Sequence, residues 1–317
     1  VLSGFLIGRI LFRLYTEDEF TYKAVGNFLR RRWFRTFPNY FLILLVNLVI
    51  AMFIGYEMDY SCLYFIFMQN FAWPMHAFFP ESWSLSVEEF AYIFLPFAFI
   101  LAGALAPKKN RKTLFAITTF ALIVLCILAK WRYNLNTQNT TLSQWNIDLK
   151  AVVIYRLDSI FIGVLFSWIF SVYSRFWRAN KNLMFIFGLI MMGFFAVGVG
   201  YLRLTIEYYP FFWNVLYLPA TSFSIALFLP ILSEWKSEES FIRKPVTFIS
   251  LISYSIYLLH YSVILQIMKQ VVNTEALTTL MVVVFTLLYL SITIILSYLL
   301  YRFYERPMME RRDYKHS

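Results

Sequence analysis

The sequence predicts an all-α, polytopic integral membrane helical bundle, and three observations carry that prediction. Hydrophobic residues fill 60% of the 317 positions and charged residues only 15%, where soluble domains hold about a quarter charged residues. The apolar residues gather into runs long enough to cross about 30 Å of hydrocarbon as helices, which satisfy their own backbone groups without water. Between the runs lie short charged loops, and their basic residues concentrate on one side when the runs alternate direction, as the positive-inside rule requires.

In chain order nine runs cover residues 1–14, 39–54, 85–106, 114–131, 151–174, 183–204, 212–233, 247–268 and 277–301. The first is partial, because the sequence opens on Val1 among apolar residues, and a further helix is expected upstream. With loop 9–36 in the cytoplasm, alternation brings the basic residues of 108–112, 175–181, 236–244 and 302–315 to the same side. Only Lys130, Arg132, Lys150, Arg156, Arg203 and Lys269 then lie outside or at outer span ends. One more apolar stretch, Tyr60–Phe79, is held out of the count: as a span it would turn "KKNRK" outward, and Pro74 breaks it. It reads as a re-entrant or interfacial element. The polar loop 134–146 is expected outside and carries a glycosylation sequon at Asn139. With no fixed-period repeat, one membrane domain over residues 1–317 is the economical organisation.

The net charge of +10 sits beside spans, where lipid headgroups and insertion topology account for it, so nucleic acid is set aside as a partner and the bilayer is retained. Cys62 and Cys126 lie in unlike contexts with neither disulfide-framework nor metal-ligand spacing, and no metal is expected.

Five constellations could carry chemistry. In "RRRWFRTFPNY", Arg32 and Arg35 stand three apart, on one helical face, and guanidinium groups bind phosphate as a fork. Arg31 adds charge, and Trp33, Phe34 and Phe37 could flank a flat ring. In "ESWSLSVEEFAYIFLP", Glu88 shares a face with Ser84 and Tyr92, while Glu89 lies over Ser86. Carboxylates at a membrane level are costly and mark function. In "YRLDSIFIG", Arg156 and Asp158 enter the membrane from outside at the level of Glu88, so a cross-helix pair of Arg156 with Glu88 or Asp158 is expected.

In "SLISYSIYLLHYS", Ser250, Ser253, Tyr257 and His260 fall on one stripe of a helix. His260 lies about 20 Å from the cytoplasmic end, deep enough to rest as neutral imidazole. His76 and His316 are weaker candidates. In "YRFYERPMME", Glu305 stands between Arg302 and Arg306, where a surface ion pair is the plain expectation and ordering of the cytoplasmic arginines the functional one. At the other end, Gly4 and Gly8 form a small-residue face suited to helix packing.

Taken in order, "LSGFLIG", "RRRWFRTFPNY", "WSLSVEEFAYIFLP", "YRLDSIFIG", "SYSIYLLH" and "YRFYERP" resemble the membrane acyltransferase-3 family of O-acyltransferases across nearly the whole chain. The resemblance implies ten helices, nine here and one upstream. It also implies transfer of an acyl group, often acetyl, from cytoplasmic acyl-CoA (acetyl-CoA) to a hydroxyl of a carbohydrate or cell-envelope glycan, in a bacterial inner (plasma) membrane. The family's best supported catalytic histidine stands in the upstream helix, outside these residues; His260 matches a later motif histidine and is the second choice for base. Where the family often has histidine two residues before the motif tryptophan, here Trp83, this chain has Glu81, and Phe90 and Ala91 also depart from the pattern. Arg31, Arg32 and Arg35, ordered by Glu305, are then expected to hold coenzyme A. Glu88 and Arg156 are expected at the catalytic centre, and Trp83, Glu89 and Asp158 on the acceptor side. The rival class is a saccharide or lipid-linked sugar transporter or flippase, which would show paired helix breaks at mid-membrane that this sequence lacks.

Overall fold

The computed structural model describes residues 1–17, 20–55, 58–75, 78–105, 110–137, 141–235 and 243–313. Among them the secondary structure is helical throughout, with no strand. Eight helices are long and apolar enough to cross a membrane: α2 (Tyr22–Ile54), α3 (Pro80–Leu105), α4 (Arg111–Asn136), α5 (Val153–Val172), α6 (Lys181–Tyr201), α7 (Phe212–Ser233), α8 (Arg243–Val271) and α9 (Thr279–Arg311). The shorter α1 (Leu2–Thr16) precedes them. All nine apolar runs are therefore helical, and Tyr60–Phe79 supplies no span: it holds one short helix, Cys62–Phe65, within irregular chain. Cys62 is exposed and Cys126 buried, and neither is in a disulfide.

The ends of the runs differ from expectation. Helix α2 starts well before residue 39 and continues through Pro38, and α9 continues past residue 301 through a π-turn, Tyr301–Glu305. An apolar run measures only the greasy part of a helix; the hydrogen-bond ladder propagates into basic sequence at little cost. Proline withholds a ladder donor. Around this interruption the Tyr254 hydroxyl donates to the Thr36 carbonyl at 2.8 Å and the Tyr304 hydroxyl to the Pro38 carbonyl at 3.4 Å.

The chain divides into two compact units. Unit 1 comprises Val1–Val25, Asn70–Met75 and Trp83–Lys236; unit 2 comprises Gly26–Gln69, His76–Ser82 and Ser237–Ser317. In unit 1, α1 lies along α5 at glycine distance. A Cβ on Gly4 would fall 2.0 Å from the Ile160 carbonyl oxygen, one on Gly8 2.3 Å from Ser167 Oγ, and one on Gly163 2.1 Å from the Val1 carbonyl oxygen. The small-residue face read at Gly4 and Gly8 is thus a packing face, answered by Gly163 on the opposite helix. A second cluster gathers Trp145, Leu149, Val199, Ile206, Trp213 and Leu218. Its two indoles are satisfied by carbonyls, Trp145 Nε1 donating to Trp213 at 3.1 Å and Trp213 Nε1 to Leu204 at 2.6 Å.

In unit 2, α8 packs on α9, and the 3-10 turn Pro80–Ser82 packs on α8. Tyr40 stacks on Phe67 with centroids 4.5 Å apart, and Phe67 holds a left-handed φ of 59°. That turn brings Gln69 into the interior, where its amide donates to Ser82 Oγ at 3.2 Å.

Gly163→Val should therefore lower thermal stability in detergent by about 1–3 kcal/mol through overpacking. Gly193→Val, with nothing within 4 Å of its added Cβ, should not, and equal unfolding temperatures for the two would refute the tight α1–α5 contact.

Candidate active site

Unit 2 holds the histidine. Residues His260–Leu265 of α8 form a π-turn, a wider winding than the α-helical residues before it. His260 Nδ1 lies 2.8 Å from the Tyr257 carbonyl oxygen and 3.2 Å from that of Ile256. Carbonyl oxygens only accept, so Nδ1 carries the proton, and in a neutral ring the Nε2 lone pair is left for outside chemistry. The helix fixes the tautomer of its own histidine.

The stripe read along α8 is half right. Tyr257 and His260 are partly buried, but Ser250 and Ser253 are exposed, and the Ser253 hydroxyl bonds back to the Ser250 carbonyl at 2.9 Å. The buried hydroxyls are Ser255, on the face of the helix away from that stripe, and Ser262, within the π-turn. Each serves a carboxylate. Ser262 donates to Glu81 Oε1 from its hydroxyl at 2.5 Å and from its backbone N–H at 3.0 Å. Ser255 donates to Glu305 Oε2 at 2.6 Å, and Asn39 Nδ2 donates to the same oxygen at 2.8 Å.

Glu305 is 4% exposed, which corrects the surface ion pair expected there. Arg306 pairs instead with Glu310 at 2.8 Å, and Arg302 Nη1 donates to the Tyr298 hydroxyl at 2.9 Å. The winding of the π-turn Tyr301–Glu305 carries Glu305 inward while its neighbours stay on the surface. Arg35, on α2, lies within Coulombic reach of Glu305.

Arg31, Arg32 and Arg35 all stand on α2, exposed, half-buried and exposed respectively. The helix places Arg32 and Arg35 on one face, as their spacing implies. Trp33 stacks on Phe37 at 5.4 Å and Phe37 on Phe67 at 5.2 Å, while the Arg30 guanidinium covers Phe34 at 5.6 Å. These aromatics build a wall beside the arginines.

Unit 1 holds the remaining candidates. Trp83 opens the α-helical part of α3, half-buried, and its carbonyl accepts from Asn70 Nδ2 at 3.1 Å. Tyr92 donates to Glu88 Oε2 at 2.8 Å, the contact that their four-residue spacing implies. Glu89 is 3% exposed, yet Ser86 Oγ, buried nearby on the same helix, has no hydrogen-bond partner, so the Glu89–Ser86 pairing is not made.

The expected pairing of Arg156 is also corrected. Asp158 pairs with Lys130 of α4, both side chains fully buried. Arg156 closes no ion pair among the described residues, and its Nη1 is buried without a partner, as is Asp158 Oδ1. Lys130, expected in an outer loop or span end, stands within α4, which continues to Asn136, and its side chain is fully buried. Next to this cluster, outside the spans, burial and then the Arg156 charge push the Lys150 ammonium below its ordinary value.

The family model described as an acyltransferase domain, Acyl_transf_3, matches residues 1–302. The chain belongs to the acyltransferase-3 family. It is a multi-pass membrane protein with an acyltransferase domain. No curated protein and no solved structure matches it.

For an acyltransferase-3 protein the geometry sorts the sequence candidates. It gathers His260 with Ser262 and Glu81, and Glu305 with Asn39 and Ser255, in unit 2. It gathers Asp158 with Lys130, and Glu88 with Tyr92, in unit 1. Glu81, Asn39, Ser255, Ser262 and Lys130 escaped sequence reasoning as site residues. Glu81 alone gave a signal, standing where the family often has histidine. His76, His316 and Asn139 lie outside the described residues.

Breaking the Lys130–Asp158 pair from one side should destabilise the fold by about 3–5 kcal/mol, because the surviving charge is left buried and uncompensated. Lys130→Met alone should thus unfold in detergent well below the wild type, and Lys130→Met with Asp158→Leu should recover most of the loss. A double variant no better than the single one would show that the two charges do not act as a pair.

Proposed function

We propose that this acyltransferase-3 protein is an O-acyltransferase that moves an acyl group, acetyl first among them, from cytoplasmic acyl-CoA to a hydroxyl of a carbohydrate or cell-envelope glycan. The proposed setting is a bacterial inner membrane. Among the residues given, the observation that carries the reading is the His260 ring, second choice for base after the histidine that the resemblance implies upstream: its Nδ1 is held by the Tyr257 and Ile256 carbonyls, and its Nε2 is left to act as base.

The chemistry asks for such a group. An alcohol is a poor nucleophile at neutral pH, and a base that takes its proton during attack contributes about 10²–10⁴-fold. His260 Nε2 takes the hydroxyl proton as the oxygen attacks the thioester carbonyl. The C–S bond then breaks, the ester forms, and the coenzyme A thiolate leaves with the proton returned from the imidazolium. Atoms and charge balance without any further reactant.

Donor binding falls to the basic face of α2. Arg32 and Arg35 offer two guanidinium forks to the phosphates of coenzyme A, with Arg31 adding charge. Glu305, held by Asn39 and Ser255, sets the electrostatic environment of Arg35 without consuming it in an ion pair. In unit 1, Glu88, Glu89, Trp83, Arg156 and Asp158 are the groups proposed for the acceptor, since carboxylates, a guanidinium and an indole suit the hydroxyls and ring faces of sugars.

With the full-length protein in vesicles and labelled acetyl-CoA, label should move to glycan presented on the outside. His260→Ala should cut transfer by at least about 100-fold at equal folded protein, and wild-type turnover in that variant would return His260 to a structural role. Arg32→Ala combined with Arg35→Ala should weaken coenzyme A binding by at least about tenfold, the loss of one charge-assisted contact. Unchanged affinity in a membrane titration would remove the arginines from the donor site.

A further inference from the structure

The carboxyl group of Glu81 is a buried acidic group in unit 2 that the proposed chemistry leaves without a task. It comes from the 3-10 turn Pro80–Ser82, is only 7% exposed, and reaches α8 rather than any cation. A carboxylate withdrawn from water is expensive unless its oxygens are answered. Here Oε1 takes both donors of Ser262, and Oε2 is buried with no hydrogen-bond partner.

The place of these bonds on α8 gives them meaning. At His260 the winding widens from α to π, and a widened turn displaces backbone groups from the regular ladder. The Ser262 N–H donates to Glu81 Oε1, an oxygen supplied by another segment. On the other side of His260, the Tyr257 hydroxyl donates to the backbone carbonyl of Glu81. Residue 81 is thus tied to α8 three residues before His260 and two residues after it, while the ring of His260 is itself tied to the Tyr257 carbonyl. The groups within Coulombic reach of this carboxylate include His260 on the same helix, Tyr64 from the short helix Cys62–Phe65 and Tyr289 from α9.

We propose that Glu81 is a positioning residue of the acyl-transfer site: its carboxylate acts as a surrogate backbone acceptor that pins the π-turn at Ser262 and so fixes where His260 Nε2 points. The inference rests on the reading of His260 as the base. Glu81 touches neither donor nor acceptor in this scheme and acts only through His260. What the position needs is an acceptor long enough to reach the N–H and hydroxyl of Ser262.

The test is a kcat and KM comparison in vesicles with acetyl-CoA and a soluble sugar acceptor, on full-length protein. Glu81→Leu removes the acceptor and should lower kcat by about 100-fold, the penalty for a small misplacement of a reacting group, with KM for both substrates unchanged. Glu81→Gln keeps a carbonyl oxygen for Ser262 at the same reach and should restore turnover to within about tenfold of wild type, since a neutral acceptor is weaker than a charged one. Should Glu81→Leu fail to fold, Ser262→Ala, which removes one of the two donors and keeps the helix, must still lower kcat without moving KM. Wild-type kcat in Glu81→Leu or, failing that, in Ser262→Ala would overturn the proposal. So would a loss confined to KM, or a loss that Glu81→Gln does not recover. His260→Ala separates the two levels of the argument: if it is inactive while Glu81→Leu turns over normally, only the clamp is wrong, and if it is fully active the base assignment itself has failed.

Discussion

A polar group withdrawn into a membrane bundle is costly unless it finds a partner inside the protein, because hydrocarbon offers none. That constraint organises this chain. The indoles of Trp145 and Trp213 are answered by carbonyls, and the carbonyls around Pro38 by tyrosine hydroxyls. Lys130 and Asp158 answer each other. Glu305 is answered by a serine and an asparagine, and Glu81 by both donors of a single serine. The two glutamates differ from the aspartate in one respect: neither is neutralised by a bonded cation in the described residues. Each lies within Coulombic reach of a basic group, Arg35 for Glu305 and His260 for Glu81. The bonded pair of Lys130 and Asp158 largely cancels its own field and serves structure first.

The same economy governs how the helices meet. Hydrophobic burial gives little drive for association inside a bilayer, so close backbone contact has to supply it. Gly4, Gly8 and Gly163 let α1 and α5 approach until a single methyl would collide with backbone or hydroxyl oxygen. α5 also bears Asp158 and Arg156, so the precision of that glycine contact fixes the helix from which these charges project. Packing and site in unit 1 are therefore one arrangement, and a fault in the first will be read in the second.

Much of this was legible in the sequence, for physical reasons. Length and apolarity decide whether a segment can span, so nine helical runs and the broken character of Tyr60–Phe79 follow from composition alone. Helical periodicity decides which near neighbours meet, so Tyr92 with Glu88 and the shared face of Arg32 and Arg35 follow from spacing. Long-range partners do not. Spacing and membrane level point to Arg156 with Glu88 or Asp158, and the structure gives Asp158 Lys130 from another helix. Glu305 was read as a surface group because arginines flank it, and the π-turn it closes was invisible. A π-turn shifts every following side chain around the axis, so a regular period carried through Tyr301–Glu305 or His260–Leu265 misplaces what comes after. The stripe on α8 failed for a related reason: periodicity relates residues within the helix but does not say which face the rest of the unit covers.

Two of the five π-turns among the described residues, His260–Leu265 and Tyr301–Glu305, include residues assigned here to proton transfer and to the donor arginines, while Asn146–Lys150, Phe194–Gly198 and Phe212–Tyr217 include none. A regular α-helix offers a side chain only the directions its period allows, whereas one wide turn redirects the residues that follow and disturbs the backbone ladder. The disturbance has to be answered, and Ser262 answers it through Glu81. Tautomer and direction are then controlled by different bonds. The carbonyls of Ile256 and Tyr257 decide which ring nitrogen bears the proton, and they would do so in any helix that places a histidine at this rotamer. The carboxylate from the Pro80–Ser82 turn holds the winding that follows the ring. A base built this way has its direction set without a second carboxylate hydrogen-bonded to its imidazole. For a thioester, whose thiolate leaves readily, a base held in a fixed direction is better matched to the reaction than one with latitude to swing.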